Sequence, residues 1–334
     1  MIRWTLMLGL ICFSSFSLAA ESGEALSKQV DKQQLNQQQS LTAQGLYEKM
    51  LEQSPRAMYQ GIFSHQAGNQ VQNVEIVHGV NGEHIWERMM HLDGPVREII
   101  RRGEELFCIH PDSSVEQLQK QGNTPFGNKS MGNIRQLSMA YDFKLLGAQR
   151  VAGRPVVGIQ LTPKDGTRHF YQVWLDQQTT VPLRTELIAR TGQVLERYLF
   201  SYFKPDTEFV EQRFNPRNQG VKLQLAESSE VLRASAADVL EWRLNWMPIG
   251  FLDQTAKGHA PKLSARRIYS DGVVMFSVYV EGVEKVQDEG TAQAGPTALA
   301  VQHKQWQGQT HRITVVGEIP AATAQRIAQS VELR

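Results

Sequence analysis

With 334 residues, 41% hydrophobic and 21% charged, the chain has the composition of a globular protein, which excludes a disordered or fibrous one. Its 35 Lys and Arg against 34 Asp and Glu leave no global basic field, so nucleic acid is not an expected partner. At roughly 150 residues per domain two domains are expected, with a core large enough to need no disulfide or metal.

The N-terminus reads as an export signal over residues 1–19. Arg3 supplies the positive start, 5–18 an apolar run, and Ser17-Leu18-Ala19 the small residues a signal peptidase reads, with cleavage after Ala19 or Ala20. The run is too short to span a bilayer core, and no other segment is long and apolar enough. Cys12 raises the alternative of a lipoprotein signal, but Ile11 stands where that signal needs a small residue. Removal of 1–19 takes away Arg3, leaving the charges balanced, and Cys12, leaving Cys108 as the one thiol, which cannot form an internal disulfide. Residues 20–44 turn to Gln, Ser and Lys, and are expected to be a flexible arm.

A short helix follows, marked by the apolar pairs Leu46 with Met50 and Tyr47 with Leu51 and ended by Ser54-Pro55. Strands are expected at 59–65, 71–80, 84–91, 96–101 and 106–110, with turns at Asn81-Gly82, Asp93-Gly94 and Arg102-Gly103. An irregular stretch over 119–133 and a short helix to Met139 lead to a second series at 143–149, 156–161, 169–175, 183–189 and 194–203. Ten consecutive antiparallel strands must curl, which predicts a large bent sheet or incomplete barrel with helices against its concave side, over 45–213. Residues 214–238 read as a linker. Over 239–334 a smaller α+β unit is expected, with strands at 266–269, 273–280, 298–303 and 311–317 and a closing helix carrying Ala324, Ile327, Ala328 and Val331 on one face. The loop 286–297 is expected to be mobile.

Catalytic chemistry finds little support. The stretch from Gly122 to Gly127-Asn128-Lys129-Ser130 is one residue away from a phosphate-binding loop, but Asn128 displaces the lysine. Cys108, His110 and Asp112 alternate along one strand face, yet strand geometry separates i and i+2 side chains by roughly 7 Å, and Pro111 ends the strand. The 9 histidines form no metal-ligand pair, there is no G-x-S-x-G elbow, and no metal or cofactor is expected. Two clusters suggest binding. Arg88, Arg97, Arg101 and Arg102 either form a cross-strand lattice with Glu87, Glu98, Glu104 and Glu105, or contact an anion or lipid headgroup. Trp242, Trp246, Met247, Phe251, Arg266 and Arg267 are residue types enriched at protein interfaces, although core packing of the small domain is the first reading for the aromatics.

Several motifs in one order carry a resemblance. Glu87-Arg88, Leu92-Asp93-Gly94 and Arg97-Glu98-Ile99-Ile100-Arg101, then Arg150-Val151-Ala152-Gly153-Arg154, Trp174-Leu175-Asp176 and Pro182-Leu183-Arg184 resemble the MucB/RseB family. Trp246-Met247-Pro248-Ile249-Gly250-Phe251, Ser270-Asp271-Gly272 and Thr314-Val315-Val316-Gly317-Glu318-Ile319-Pro320 continue the match. The resemblance implies an α+β protein, mainly antiparallel β, with a large half-open barrel like those of the lipoprotein carriers LolA and LolB and a smaller C-terminal α+β domain. It implies a periplasmic negative regulator that is not an enzyme. Such a protein binds the periplasmic domain of a membrane anti-sigma factor and shields it from site-one proteolysis, so that an envelope-stress sigma factor stays inactive. Release by lipopolysaccharide or lipoprotein acyl chains is implied as well. Within that role Trp242, Trp246, Phe251, Arg266 and Arg267 are the expected partner contacts, and Arg97, Arg101 and Arg102 the expected headgroup contacts. A lipid or lipoprotein carrier is the alternative, and a homo-oligomer stays open.

Overall fold

The computed structural model describes residues 42–103, 105–110, 134–218, 221–224, 241–255, 266–286 and 288–334. The expected signal, most of the arm, the Gly122 to Ser130 stretch and Asp112 lie outside these residues.

The chain enters helix α1 (Ala43–Gln53) at Thr42, whose hydroxyl accepts the Gly45 N–H at 2.9 Å. The helix thus begins two residues inside the stretch expected as arm. Pro55 cannot continue the ladder, so the helix ends in one tight turn, Ser54–Arg56. Ala43, Tyr47 and Met50 form its buried stripe.

Five strands then run as a meander: β1 (Tyr59–Ala67), β2 (Gln70–Asn81), β3 (His84–His91), β4 (Glu98–Arg102) and β5 (Glu105–His110). After α2 (Ile134–Ala140) comes a second meander: β6 (Tyr141–Val151), β7 (Arg154–Pro163), β8 (Phe170–Asp176), β9 (Pro182–Ile188) and β10 (Val194–Pro205). The strands match the expected ones to within a few residues, but their order in space does not follow the chain. β1 pairs with both β2 and β10, so the two meanders join back to back and β5 and β6, neighbours in sequence, lie toward opposite edges. Turn chemistry encodes hairpins and is silent about a pairing between residues well over a hundred positions apart.

The sheet curls. β6 and β10 stand four places apart in the order yet have Cα atoms within 8 Å, where a flat sheet would hold them about 19 Å apart. It does not close: β6 ends one edge and β11 (Val221–Gln224), paired with β5, ends the other. Tyr59, Phe63, Ile76, Trp174, Phe200 and Phe203 form an apolar cluster on one face, while α1 and α2 pack near β6.

β11 and the residues before it correct the reading of 214–238 as a plain linker. From Pro205 the chain turns back across β2 to β4. Phe209 and Phe214 pack edge-on to Trp86, with ring centroids at 5.4 and 5.8 Å. Arg102 donates to Asn215 Oδ1 at 2.7 Å and lies over the Trp86 ring. The buried Glu98 carboxylate accepts the backbone N–H groups of Arg217 (3.1 Å) and Asn218 (3.2 Å) and faces Arg88 at 3.4 Å, while Arg88 reaches Glu75 at 2.7 Å. A carboxylate removed from water must be answered by donors, and this one fixes where the linker departs.

The second unit has a six-stranded sheet in the order β13 (Leu252–Asp253), β14 (Arg266–Ser270), β15 (Met275–Val283), β18 (Gln309–Gly317), β17 (Thr297–Trp306), β16 (Gly290–Ala294). β12 (Trp242–Leu244) pairs with β19 (Val331–Leu333). Helix α3 (Ala321–Ser330) packs on β16, β17 and β18 through Ala324, Ile327 and Ala328. The loop expected to be mobile over 286–297 instead holds β16, in register with β17 from Gly290 opposite Val301 to Ala294 opposite Thr297. Its Gly-Thr-Ala-Gln-Ala sequence lacks strand patterning, and the pairing with β17 supplies what propensity does not.

Glu98→Ala is expected to leave Arg88 underpaired in the core and to release the 217–218 crossing. The large domain should lose about 3 kcal/mol, seen as a lower urea midpoint; an unchanged midpoint would contradict this role for the carboxylate.

Candidate functional site

The two sheets meet along a seam, and one side chain holds its centre. Arg168, in the turn between β7 and β8, has a fully buried side chain. Its Nε donates to Asp271 Oδ2 at 2.7 Å, Nη1 to Asp165 Oδ2 at 2.5 Å and to Thr167 Oγ1 at 3.2 Å, and Nη2 to the Ile249 carbonyl. The guanidinium plane lies over Phe251, 4.7 Å from the ring centroid, and 5.5 Å from that of Tyr141. Asp165, Thr167 and Tyr141 belong to the large domain; Asp271, Ile249 and Phe251 belong to the small one.

Asp271 is held as firmly. Its Oδ1 accepts the N–H groups of Val273 (2.9 Å) and Val274 (3.0 Å), which builds the Asx turn between β14 and β15, and its Oδ2 takes the Tyr141 hydroxyl at 2.8 Å. Burial first, then the Asp271 charge, pushes the Tyr141 phenol well above its usual range. Burial raises the Asp165 carboxyl, but hydrogen bonds from Thr167 and Arg168 outweigh it and hold the group below its ordinary value.

Further contacts extend the seam in both directions. Gln136 of α2 donates to the Gly250 carbonyl at 2.5 Å, and Thr323 of α3 to the Thr167 carbonyl at 2.9 Å. Gly250 has φ +90°, and a Cβ there would stand 3.3 Å from that of Ala140, so glycine suits both the backbone and the close approach of α2. At the far end Gly295, in the β16–β17 turn, comes up against the backbone of Gly68 and Leu195. One apolar cluster runs across the boundary, from Tyr47, Leu137 and Leu161 to Phe251, Phe276 and Ile327. Ile249, 64% exposed, and Met139, 56% exposed, directly precede Gly250 and Ala140 of this contact and leave apolar side chains in solvent.

The expected partner residues divide by burial. Trp242 and Phe251, 1% and 2% exposed, are core residues, so the reading of both as surface contacts is corrected: packing accounts for them. Arg267 is buried with its guanidinium 4.2 Å from the Trp242 ring centroid. Arg266 lies over Tyr279 on the opposite face of the small sheet, and Trp246 is half-buried beneath Arg326 at 3.8 Å. These five do not form one patch. Among the expected headgroup residues, Arg101 faces the buried Glu87 at 3.6 Å, Arg102 is held by Asn215, and Arg97 stands at the entrance to β4 beside the exposed Leu92 and Val96. Arg168, the residue on which the seam turns, had no signal beyond its place three residues after Asp165 in a turn. The described residues hold no cluster able to bind a metal and no helix long and apolar enough to cross a membrane.

His169 follows Arg168 in the chain, is buried, and among the described residues neither ring nitrogen has a partner of ordinary hydrogen-bond geometry. Burial pushes its pKa down to about 4 from 6.5, and the Ile319 backbone across the seam offsets this only in part. The unfolded chain therefore binds more protons between these values. The stability His169 contributes is complete above about 6.5 and is lost as the pH falls toward about 4. Thermal melts from pH 7 to pH 4.5 should show a steeper loss of melting temperature for the native protein than for His169→Gln; parallel curves would contradict a buried neutral histidine.

Comparison with known proteins now bears on this architecture. Residues 42–218 match the MucB/RseB N-terminal domain and 236–332 the MucB/RseB C-terminal domain. The sigma factor AlgU regulatory protein MucB of Pseudomonas aeruginosa is 30% identical over 302 residues, covering 88% of this chain and 92% of that protein. The sigma-E factor regulatory protein RseB of Escherichia coli is 28% identical over 261 residues, covering 73% and 76%. Among solved structures, the MucA/MucB complex of Pseudomonas aeruginosa aligns at a TM-score of 0.69 with 27% identity, over 87% of this chain and 98% of that one. MucB in complex with MucA(peri) aligns at 0.66 with 28% identity, over 85% and 96%. Both domains, in order and on one fold, place this chain in the MucB/RseB family of sigma-factor regulators.

Proposed function

We propose that this protein is a periplasmic regulator that acts by binding, not by catalysis. Its partner is the periplasmic domain of a membrane anti-sigma factor. While bound, that domain is shielded from site-one proteolysis and the envelope-stress sigma factor stays inactive. The observation that carries this reading is the match of both domains to regulators of sigma factors, together with the likeness to MucB in its complexes with MucA. The predicted signal over 1–19 supports export to the periplasm.

The mechanism follows from occlusion. Cleavage is limited to the unbound fraction of the partner, and a lipid that binds only the free regulator lowers the apparent partner affinity by mass action. Lipopolysaccharide or lipoprotein acyl chains fit that signal. Arg97, Arg101 and Arg102 stay the residues this reading assigns to a headgroup, and Arg97 lies next to the exposed Val96. Trp246 and Arg266 are the half-exposed members of the expected partner set. A lipid carrier needs only the large domain, and a second domain docked through a buried ion pair favours the regulator.

Titration of the mature protein with the periplasmic domain of its host's anti-sigma factor should give saturable binding that lipopolysaccharide weakens. Arg266→Glu should weaken it about tenfold, the effect of losing roughly 1.4 kcal/mol. Absence of binding by folded protein would overturn the reading; unchanged affinity in the variant would remove Arg266 from the interface.

A further inference from the structure

We propose, resting on the regulator reading above, that β16 is the strand to which the partner adds: an extended segment of the anti-sigma factor's periplasmic domain pairs with its open edge and lengthens the small sheet by one strand. β16 ends that sheet, and all five of its residues are exposed. Its pairing with β17 runs without a register shift from Gly290 opposite Val301 to Ala294 opposite Thr297, and Gly295-Pro296 closes the hairpin. In a hairpin with a two-residue turn the pair next to the turn exchanges hydrogen bonds, and the pattern then alternates. Ala294, Ala292 and Gly290 therefore direct their backbone groups to β17, while Thr291 and Gln293 direct theirs outward. Among the described residues neither Thr291 nor Gln293 makes a backbone hydrogen bond beyond the β17 pairing. Their N–H and C=O groups form a short template for a further strand.

Folded proteins guard such edges, and the other strand edges described here are guarded or shorter. β6 is interrupted by a register shift between Leu145 and Gly147 and carries the exposed Lys144 and Arg150. β11 and β13 have four and two residues, and β12 and β19 three each, with Arg243 and Glu332 paired across them. Past the start of β16 a side chain serves β17, for Glu289 Oε1 takes the His303 N–H at 2.8 Å. β16 has no charge, no proline and no bulge. Its small, exposed side chains bury little, so what it offers a partner is backbone. That suits the shielding of a cleavage segment: a protease binds its substrate as an extended chain through the substrate's backbone, and a segment already paired along an edge has those groups engaged. Strand addition asks little of side chains and takes its affinity from main-chain hydrogen bonds.

The test is amide hydrogen exchange in the full-length mature protein, free and saturated with the periplasmic domain of its host's anti-sigma factor. The Thr291 and Gln293 amides should exchange about tenfold more slowly, or slower still, in the complex. Gln293→Pro, which removes an outward N–H and no hydrogen bond to β17, should weaken the complex about tenfold with the melting temperature unchanged. A complex in which both amides exchange as in the free protein would overturn the strand addition and leave the regulator reading standing, as would native affinity in folded Gln293→Pro. Absence of saturable binding by the folded native protein would overturn both. If Gln293→Pro does not fold, exchange in the native complex alone decides.

Discussion

A guanidinium without access to water can persist only where its charge and its N–H groups are answered, and Arg168 is answered by two domains together. Asp165 and Thr167 come from its own turn, Asp271 and the Ile249 carbonyl from the other unit, and the Phe251 and Tyr141 rings face the guanidinium. Neither domain alone completes the set. That requirement fixes how the half-open sheet and the small sheet face each other, and with it the rim where Met139 and Ile249 are exposed. The apolar cluster beneath supplies most of the burial; the ion pair makes the arrangement specific, because a shifted seam would leave a charge unpaired.

The large domain depends on a second non-local constraint, the pairing of β1 with β10. It joins two local meanders into one sheet and puts their free edges far apart. β11 covers the edge at β5, and the crossing pinned by Glu98 delivers the chain there. The route from one domain to the other is thus anchored at the far edge, while the docking surface is formed by the opposite half.

Local structure was legible in the sequence wherever the chemistry is local. Asn81-Gly82, Ala152-Gly153 and Asp271-Gly272 mark turns, Ser54-Pro55 ends α1, and the period of Ala324, Ile327 and Ala328 identifies the buried face of α3. What could not be read is long-range: the β1–β10 junction, the addition of β11 to β5, and the rescue of the unpatterned 290–294 segment as an edge strand by β17. The site followed the same division. Aromatic and arginine residues of 242–267 have interface composition, but Trp242 and Phe251 lie in the core, and only the packing distinguishes a core tryptophan from an exposed one. Arg168 is one of many arginines until Asp271 is brought to it from another domain. Ordered motifs spread over both domains carried more about function than any single residue did.

On the proposed function, this protein guards the anti-sigma factor by occupying it. The most direct measurement is the rate at which the site-one protease cleaves that factor's periplasmic domain as this protein is added. Cleavage should fall in proportion to the unbound fraction and approach zero at saturation. A cleavage rate that stays constant while the folded protein is in excess would contradict it.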